Sequence, residues 1–290
     1  MEGVARLPEL LAMRSPAVAP GCYDALTALL IEQAGFECAY LGGASVSFSR
    51  LGRPDIGLVS MTEMAETVAN ICGRIDIPLI VDADNGFGDV LNVQRTVRCY
   101  ERAGAAAVQL EDQMLPKRCG HLPGKRLIGT AEMLGKLRAA RDVLHGPTLL
   151  IARTDAIAVD GLDAALERGA AYAEAGADVL FIESPRSRDE LERIGRELGS
   201  KIPLLANMVE GSRTPLLPAA ELGELGYRLV IYPGSLLRAL SLAGQRCLDA
   251  LKRDGTTAGV LDQINDFGRL NSIIGTDAML ALADRYRDAD

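Results

Sequence analysis

The chain of 290 residues carries 31 basic and 39 acidic side chains, a formal net charge of −8. It has no long basic run, which argues against a nucleic-acid partner. No apolar stretch approaches the length of a membrane span and the first residues do not resemble a signal peptide, so we expect a cytoplasmic protein with no membrane partner. The six cysteines are scattered, and we expect reduced thiols at positions 22, 38, 72, 99, 119 and 247.

Short apolar runs rich in Val, Ile and Leu alternate with longer amphipathic stretches along the chain. This alternation predicts an α/β fold of repeated strand-helix units with a parallel sheet, and a single (β/α)₈ TIM-type barrel commonly fills this length. No linker-like segment divides the chain, so we expect one domain over residues 1–290. The eight predicted strands span residues 17–21, 38–42, 79–84, 107–111, 149–153, 179–183, 204–207 and 229–232.

Two stretches, residues 91–104 and 162–176, have helical spacing and end in Ala-Gly just before a predicted strand. The same Ala-Gly junction also occurs before the second strand. Glycine at this place fits the left-handed turn that ends many helices. We therefore expect Gly35, Gly104 and Gly176 to mark the passage from helix to strand.

Most of the predicted strands end in a polar residue that can bind a charge or a metal. Because all strand ends of a barrel converge on one face, these side chains should meet there. Several carboxylates at close quarters favour a hard cation, for which Mg²⁺ is the natural candidate and Mn²⁺ a substitute. Alternatively, the acids cap helices or pair with Arg95 and Arg153. The residues concerned are Asp82, Asp84, Glu111, Asp112, Arg153, Glu183 and Asn207.

The segment over residues 113–130 is rich in Lys, Arg, Gly and Pro and is predicted to be an active-site lid. It contains the pentad Lys117-Arg118-Cys119-Gly120-His121, whose cationic members favour a reactive thiol. Cys119 and His121 could otherwise belong to a zinc site, or Cys119 could be an incidental surface residue. The glycines after Tyr40, Gly42 and Gly43, could offer backbone N–H groups to an anion or simply form a tight turn.

At these residues the sequence resembles the isocitrate lyase and phosphoenolpyruvate mutase superfamily over nearly the whole chain. The resemblance implies that Asp84 binds magnesium directly while Asp55, Asp82 and Glu111 hold its waters. It also implies that the carboxylate of the substrate is bound by Tyr40, Gly42, Gly43 and Arg153. The segments that carry it are Leu51-Gly52-Arg53-Pro54-Asp55, Val81-Asp82-Ala83-Asp84-Asn85-Gly86-Phe87-Gly88, Leu110-Glu111-Asp112-Gln113, the pentad at 117–121 and Ala152-Arg153-Thr154-Asp155.

The resemblance further implies an assembly in which the last helix is exchanged between subunits. We therefore expect a homo-oligomer, a tetramer built as a dimer of dimers, with the helices after Gly255 as the exchanged part. The chain departs from the family at one place. The 2-methylisocitrate lyases have a sequence similar to Tyr-Leu-Ser-Gly-Gly there, whereas this chain has Tyr40-Leu41-Gly42-Gly43-Ala44 and so lacks the serine hydroxyl.

The activity implied by the resemblance is a magnesium-dependent lyase that cleaves a small 2-hydroxydicarboxylic acid to a 2-keto acid. Cys119 would protonate the enediolate carbon, and either Tyr40 or a metal-bound water would take the hydroxyl proton. The stretch at 207–215 favours 2,3-dimethylmalate or 2-methylisocitrate, with pyruvate as the product, over isocitrate. The predicted catalytic set comprises Cys119, Tyr40, Lys117, His121, Arg153 and Glu183, and the predicted substrate-binding set comprises Tyr40, Gly42, Gly43, Gly120, His121, Arg153, Asn207 and Thr214.

Three other functions remain open from the sequence. The stretches at 117–127 and 204–215 also resemble a carboxyphosphonoenolpyruvate phosphonomutase, which forms a carbon–phosphorus bond. An oxaloacetate hydrolase or decarboxylase would use a similar site. A catalytically silent barrel, retained for assembly, predicts no magnesium binding. Cys119 favours the lyase because it has an obvious role there as an acid.

Overall fold

The computed structural model describes residues 2–120 and 122–287 and contains a closed barrel of eight parallel strands. Each strand pairs with its neighbours in chain order, and β8 pairs with β1 to close the sheet. The prediction of a (β/α)₈ barrel is therefore confirmed. The strands are β1 Ala17–Cys22, β2 Ala39–Leu41, β3 Leu79–Asp82, β4 Ala107–Glu111, β5 Leu149–Thr154, β6 Val179–Ile182, β7 Leu204–Asn207 and β8 Tyr227–Tyr232.

Helices alternate with the strands, as the periodicity predicts. A short π-helical turn, Ser47–Leu51, follows α3, and 3₁₀ turns occupy Ala156–Ala158 and Ala258–Gln263. The helices are α1 Glu2–Ala12, α2 Ala25–Gln33, α3 Gly43–Val46, α4 Met61–Cys72, α5 Val90–Ala103, α6 Thr130–Arg141, α7 Leu162–Glu174, α8 Arg188–Leu198, α9 Ala219–Glu224, α10 Ser235–Asp254, α11 Phe267–Ile274 and α12 Thr276–Asp284.

The predicted glycine junctions are present between helix and strand. Gly35, Gly104 and Gly176 have φ values of +85°, +104° and +98°, in the left-handed region that L-residues with a side chain rarely adopt. Gly104 caps α5 directly, and its backbone N–H donates to the carbonyls of Tyr100 and Glu101. These glycines turn the chain from each helix into the next strand.

The buried apolar side chains form two layers around the sheet. One cluster lies inside the barrel and includes Leu7 and Leu11 of α1, so this helix, which the sequence analysis did not predict, packs with the barrel interior. The other cluster lies between the strands and the surrounding helices. Along β5 the alternation is plain, because Ile151 belongs to the inner cluster while Leu150 and Ala152 belong to the outer one. The interior cluster also contains Ala19, Tyr40, Ile80, Phe181, Leu205, Leu229 and Ile231.

The chain forms two compact units, one up to Leu236 and one from Leu237 onwards. The first contains the barrel. The second contains most of α10, a 3₁₀ segment, α11 and α12. The division into one domain with exchanged helices after Gly255 stays a prediction. None of the helices among the residues that the structure describes is long and apolar enough to cross a membrane.

Candidate active site

Four buried carboxylates lie near the carboxyl ends of β3 and β4. Asp82 ends β3, Asp84 follows it, Glu111 ends β4, and Asp55 comes from the loop between the π-helical turn and α4. All four are at most 7% exposed. The backbone N–H of Glu111 donates to the carbonyl of Asp84 at 2.8 Å, which joins the two strand ends. The barrel thus brings together acids that lie up to 56 positions apart in sequence.

Lys117 reaches into this acidic cluster from the predicted lid. Its Nζ lies 2.5 Å from Oδ1 of Asp55 and 2.5 Å from Oδ1 of Asp84. Both contacts are ion pairs between buried side chains. Burial lowers the pKa of Lys117, but the carboxylates of Asp84 and Asp55 outweigh it and hold that pKa well above its usual value. Lys117 is therefore a cation in the cluster.

Asp84 and Glu111 lie in buried surroundings that destabilise their charged forms. Burial raises the pKa of Asp84 to about 6, with Lys117 opposing the shift and Asp82 adding to it. Burial also raises the pKa of Glu111 well above its usual value, with Arg153 opposing. The backbone of Asp84 has φ +48°, a left-handed conformation that is uncommon outside glycine. Strain and desolvation together at one residue are typical of functional sites.

The residues present fit a magnesium ion. A buried carboxylate oxygen without a hydrogen-bond partner is expensive, and among the described residues Glu111 Oε1 is such an atom, whereas Asp84 Oδ1 is paired with Lys117. Oxygen ligands from carboxylates are those that hard cations prefer. In the described part of the chain, no three His, Cys, Asp or Glu side chains are placed to hold a metal together. Magnesium takes one or two protein carboxylates and keeps several waters.

Arg153 is the buried cation on the other side of the cluster. Its guanidinium donates two hydrogen bonds to Asp155, at 3.0 and 3.1 Å, and lies 3.4 Å from Glu111 Oε2. It also lies over the ring of Phe181, 5.1 Å from the centroid. Burial lowers the pKa of Arg153, but Asp155 and Glu111 outweigh it, and the pKa stays well above its usual value. Arg153 is thus a buried cation whose orientation is fixed by Asp155 and Glu111.

Glu183 follows β6 and is fixed by its neighbours. Its Oε2 accepts from Asn207 Nδ2 at 3.1 Å and its Oε1 accepts from Ser184 Oγ at 2.8 Å. Ser184 has φ +63°, another strained position in the site. Asn207 Oδ1 is buried and has no hydrogen-bond partner among the described residues. Thr214 is buried in the loop after β7, where its backbone N–H donates to the Ser212 hydroxyl. Its contact with the substrate stays a prediction.

The two glycines after β2 both lie close to their neighbours. A Cβ on Gly43 would lie 3.2 Å from Oδ1 of Asp84, and a Cβ on Gly42 would lie 3.1 Å from Cε1 of Tyr40, so a side chain at either position would crowd the site. The backbone N–H of Gly43 donates to Asp82 Oδ2 at 3.4 Å. Gly42 precedes the short helix α3 and has φ −93°, which any residue can adopt. Tyr40, two residues earlier, is buried, and burial and nearby Asp82 raise the pKa of its phenol well above the usual value.

The predicted lid lies against the barrel end. The backbone N–H of half-buried Cys119 donates to the carbonyl of Asp55 at 3.2 Å. A Cβ on Gly120 would lie 2.5 Å from Nη2 of Arg153 and 3.0 Å from Cδ of Glu183, so only glycine fits this close approach. The lid thus brings Cys119 and Gly120 to the acidic and cationic side chains. His121, predicted to be catalytic and substrate-binding, lies outside the described residues.

Gln109, Lys125 and Asp155 also lie at the site, although no role was predicted for any of them from the sequence, and Asp155 appeared there only as part of a family motif. Lys125 lies 2.7 Å from Asp155 and also contacts the carbonyl of Gly120, so it ties the lid to the end of β5. Burial raises the pKa of Asp155, but Arg153 and Lys125 outweigh it and bring the pKa down to about 2. Alternation could have identified Gln109, since it lies two positions before Glu111 on the same side of β4.

Asp112 does not join the acidic cluster, so its expected place there is wrong. Adjacent residues of a strand face opposite sides, and Asp112 faces helix α7. Its Oδ2 accepts from Thr154 Oγ1 at 2.7 Å, from Tyr172 Oη at 2.9 Å and from Arg168 Nη1 at 3.1 Å. Asp112 is a fully bonded anchor that holds the end of β5 to α7.

Comparison with known proteins gives a consistent result. A family model described as phosphoenolpyruvate phosphomutase matches residues 7–252. The 2,3-dimethylmalate lyase of Eubacterium barkeri is 46% identical over 99% of both chains. The 2-methylisocitrate lyase of Aeropyrum pernix is 44% identical over 93% of this chain and 86% of its own. The chloroplastic carboxyvinyl-carboxyphosphonate phosphorylmutase of Arabidopsis thaliana is 41% identical over 97% of this chain and 84% of its own.

Solved structures are similar over the whole fold. A 2,3-dimethylmalate lyase superposes with a TM-score of 0.93 at 35% identity, covering 99% of this chain and 96% of the other. An oxaloacetate acetylhydrolase bound to 3,3-difluorooxalacetate also gives 0.93, at 34% identity, covering 98% and 97%. A phosphonopyruvate hydrolase in complex with oxalate and Mg²⁺ gives 0.90, at 32% identity, covering 99% and 100%.

Proposed function

The chain belongs to the PEP mutase/isocitrate lyase superfamily, and from this and its site we propose that it is a magnesium-dependent lyase acting on a small 2-hydroxydicarboxylic acid. The bond cleaved is C2–C3. The proposed substrate is 2,3-dimethylmalate or 2-methylisocitrate, with pyruvate as the keto acid released. The observation that carries the proposal is the cluster of Asp55, Asp82, Asp84 and Glu111, covered by the loop with Cys119.

The cluster is proposed to hold the metal through few direct contacts. Asp84 would bind magnesium directly, and Asp55, Asp82 and Glu111 would hold its waters. A bound magnesium ion would polarise the oxygen on C2 and offset the negative charge that develops there. The buried Oε1 of Glu111, which has no hydrogen-bond partner among the described residues, and the close packing of the four carboxylates support this assignment.

The protein side chains would transfer the proton and stabilise the negative charge of the enediolate. Loss of the hydroxyl proton turns the C2–O bond into a carbonyl, the C2–C3 bond breaks, and its electron pair passes to C3 and the attached carboxylate. The buried cations Lys117 and Arg153 would stabilise the resulting enediolate. The Cys119 thiol would then give its proton to C3, and the proton lost from the hydroxyl would return to the thiolate.

Binding of the substrate would involve the remaining predicted residues. Arg153 and the backbone of Gly42 and Gly43 are proposed to hold the carboxylate on C2, while Asn207 and Thr214 would meet the far carboxylate. Glu183, held between Asn207 and Ser184, would keep Arg153 and Asn207 in place. The predicted roles of Gly120 and His121 in substrate binding remain part of this proposal.

The second candidate is a phosphonomutase reaction. The Arabidopsis relative, 41% identical over 97% of this chain, favours it. Both reactions develop negative charge on a small carboxylic acid, so the same acids and cations would serve. Cys119 separates the two readings, because its thiol has a defined task only where a carbanion must be protonated.

The test is a substrate screen with purified enzyme and magnesium. 2,3-Dimethylmalate, 2-methylisocitrate, oxaloacetate and phosphonopyruvate are each supplied, and products are identified by ion chromatography. Pyruvate with propionate or with succinate supports the lyase. Oxalate with acetate indicates an oxaloacetate hydrolase. From phosphonopyruvate, phosphoenolpyruvate indicates a phosphonomutase, and pyruvate with phosphate indicates a phosphonate hydrolase. Any of the last three results, without turnover of the hydroxy acids, would overturn the proposal.

We also propose that the protein works as a homo-oligomer, a tetramer formed as a dimer of dimers with its C-terminal helices exchanged. Support comes from the unit after Leu236, whose helices expose many large apolar side chains. Phe267 is 88% exposed, and Leu248 and Met279 are each 66% exposed. Apolar patches of this kind usually mark a protein interface.

A further inference from the structure

Gln109 is a polar residue in the middle of strand β4, inside the barrel. It is 0% exposed, and in the sheet it is paired with Asp82 on one side and Ile151 on the other. The interior cluster around it consists mainly of apolar side chains such as Ile80 and Phe181. A buried amide is costly unless its donors and acceptor are bonded, so the position calls for a physical reason.

Two hydrogen bonds fix the direction of the Gln109 amide. Its Nε2 donates to Oδ1 of Asp82 at 3.1 Å, and its Oε1 accepts from the hydroxyl of Tyr40 at 3.2 Å. A carboxylate can only accept, so the nitrogen of the amide must face Asp82. The carbonyl oxygen then faces Tyr40, whose hydroxyl hydrogen is committed to it. The oxygen of Tyr40 therefore offers lone pairs, rather than its hydrogen, to any further group.

The same amide fixes the carboxylate of Asp82. Oδ1 of Asp82 accepts from Gln109 and also from the backbone N–H of Asp84 at 3.0 Å. Oδ2 accepts a longer hydrogen bond, 3.4 Å, from the backbone N–H of Gly43. Within the described residues, Oδ1 of Asp82 is therefore the more firmly held of the two oxygens. The donation to an anion also polarises the amide, which strengthens its bond with Tyr40.

We propose that Gln109 is a positioning residue that makes Tyr40 a hydrogen-bond acceptor toward the ligand and holds Asp82 in one orientation. This inference rests on the proposed function, because it concerns the hydroxy-acid ligand of the same site. An accepting oxygen binds a group that carries a proton, such as the 2-hydroxyl of the substrate. It gains nothing from a keto oxygen or a carboxylate. Gln109 therefore favours 2-hydroxy acids over ligands that have no hydroxyl.

The test compares two ligands by calorimetry in the presence of Mn²⁺: 2-methylmalate, which has a 2-hydroxyl, and oxalate, which has none. The variant Gln109→Met keeps the length of the side chain and removes both hydrogen bonds. Tyr40 is then free to turn its hydrogen toward the ligand. We expect the affinity for 2-methylmalate to fall about tenfold, the usual worth of one hydrogen bond, while oxalate changes by less than about threefold. Gln109→Leu is a second variant should the first fold poorly.

A double-mutant cycle distinguishes positioning from general damage. If Gln109 acts through Tyr40, adding Gln109→Met to Tyr40→Phe should weaken 2-methylmalate binding by less than about twofold beyond Tyr40→Phe alone. The control is Gln94→Met, which makes the same substitution at a half-buried position of helix α5. It should leave the affinities for both ligands unchanged. Equal losses for the two ligands, multiplicative losses in the double variant, or no binding of 2-methylmalate by the unaltered enzyme would overturn the inference.

The proposed function is tested separately by turnover of 2,3-dimethylmalate in the unaltered enzyme. The binding comparison needs no turnover, so a failure of the lyase reaction leaves the experiment on Gln109 intact. A selective loss of 2-methylmalate affinity with an inactive enzyme would support the inference about Gln109 while rejecting the lyase.

Discussion

Asp84 combines burial, a strained backbone and a raised pKa, and its charge is the one that a cation would stabilise most. Asp84→Asn keeps the shape of the side chain and removes the charge. We expect this variant to fold and to lose Mn²⁺ binding by at least about a hundredfold, with turnover falling to background. Calorimetry with Mn²⁺ gives the binding loss, and removal of the ion with EDTA followed by its return should abolish and restore the activity of the unaltered enzyme.

The raised pKa of Asp84 also sets the pH dependence of this binding. Below about pH 6 the folded protein favours the protonated carboxyl, so a cation must displace a proton there. We expect Mn²⁺ affinity to be highest above that pH and to fall as the pH drops through it. Retained activity in excess chelator, or unchanged binding by Asp84→Asn, would contradict the assignment.

Cys119 allows chemistry and binding to be separated at a single atom. Serine keeps the size of the side chain but is a far weaker acid than a thiol near neutral pH. If the thiol protonates the enediolate, Cys119→Ser should lower kcat by about two to four orders of magnitude. Binding of Mn²⁺ and oxalate should change by less than about twofold. Steady-state kinetics and calorimetry measure the two quantities.

The control for this prediction is Cys99→Ser, which makes the same change in a half-buried cysteine on helix α5. It should leave kcat close to that of the unaltered enzyme. Near-normal turnover by Cys119→Ser would remove this residue from the mechanism and favour phosphonomutase chemistry or a different acid.

At the level of elements, the lid is held to the barrel by two buried lysines. Lys117 meets Asp55 and Asp84, and Lys125 meets Asp155. Lys125→Met should loosen the lid without removing any proposed metal ligand. Arg153 still neutralises Asp155 in this variant, so we expect a loss of about 1.4 kcal/mol in the free energy of local opening. Trypsin cleavage after exposed Arg118 should then be about tenfold faster.

Oxalate with magnesium should slow this cleavage in the unaltered enzyme, because a ligand under the lid stabilises its ordered form. Lys201→Met, at an exposed position, is the matched control and should leave the rate after Arg118 unchanged. If Lys125→Met were cleaved no faster than the unaltered enzyme, Lys125 would not hold the lid.

The strands show how far local patterns predict this fold. β4 and β7 match their predicted bounds, because their apolar runs end abruptly at polar residues. β8 begins at Tyr227 rather than at the predicted residue 229, since an irregular register lets Tyr227 pair with Leu204. The π-helical turn before Asp55 was not predicted, as a few residues with no clear period give no signal.

The site residues show which features of the structure local sequence patterns cannot predict. Strand ends placed Asp82, Asp84 and Glu111 on one face by geometry alone, whereas Asp55 came only from family resemblance. Lys125 was missed because its partner, Asp155, lies 30 positions away and neither residue belongs to a regular pattern. Long-range partners of this kind follow from the closed barrel, which no single segment encodes.

In the molecule as a whole, helices α10, α11 and α12 expose large apolar side chains to solvent. Phe267, at the start of α11, is 88% exposed in the single chain, and Leu248 of α10 and Met279 of α12 are also largely exposed. Burying such side chains between subunits is worth about 1.5–3 kcal/mol each, while a charge placed in the interface opposes association. The exposed apolar surface therefore supports the proposed homo-oligomer.

The prediction is that the full chain behaves as a tetramer and that Phe267→Glu weakens it. Light scattering after size exclusion should give about four times the 30.9 kDa of one chain for the unaltered protein, and a smaller mass for Phe267→Glu at micromolar concentration. Leu91→Glu is the matched control, since Leu91 is 75% exposed on helix α5 of the barrel. It should keep the tetramer because a charge at an already solvated position costs little. A monomer in the unaltered protein, or an intact tetramer with Phe267→Glu, would show that α11 is not part of the interface.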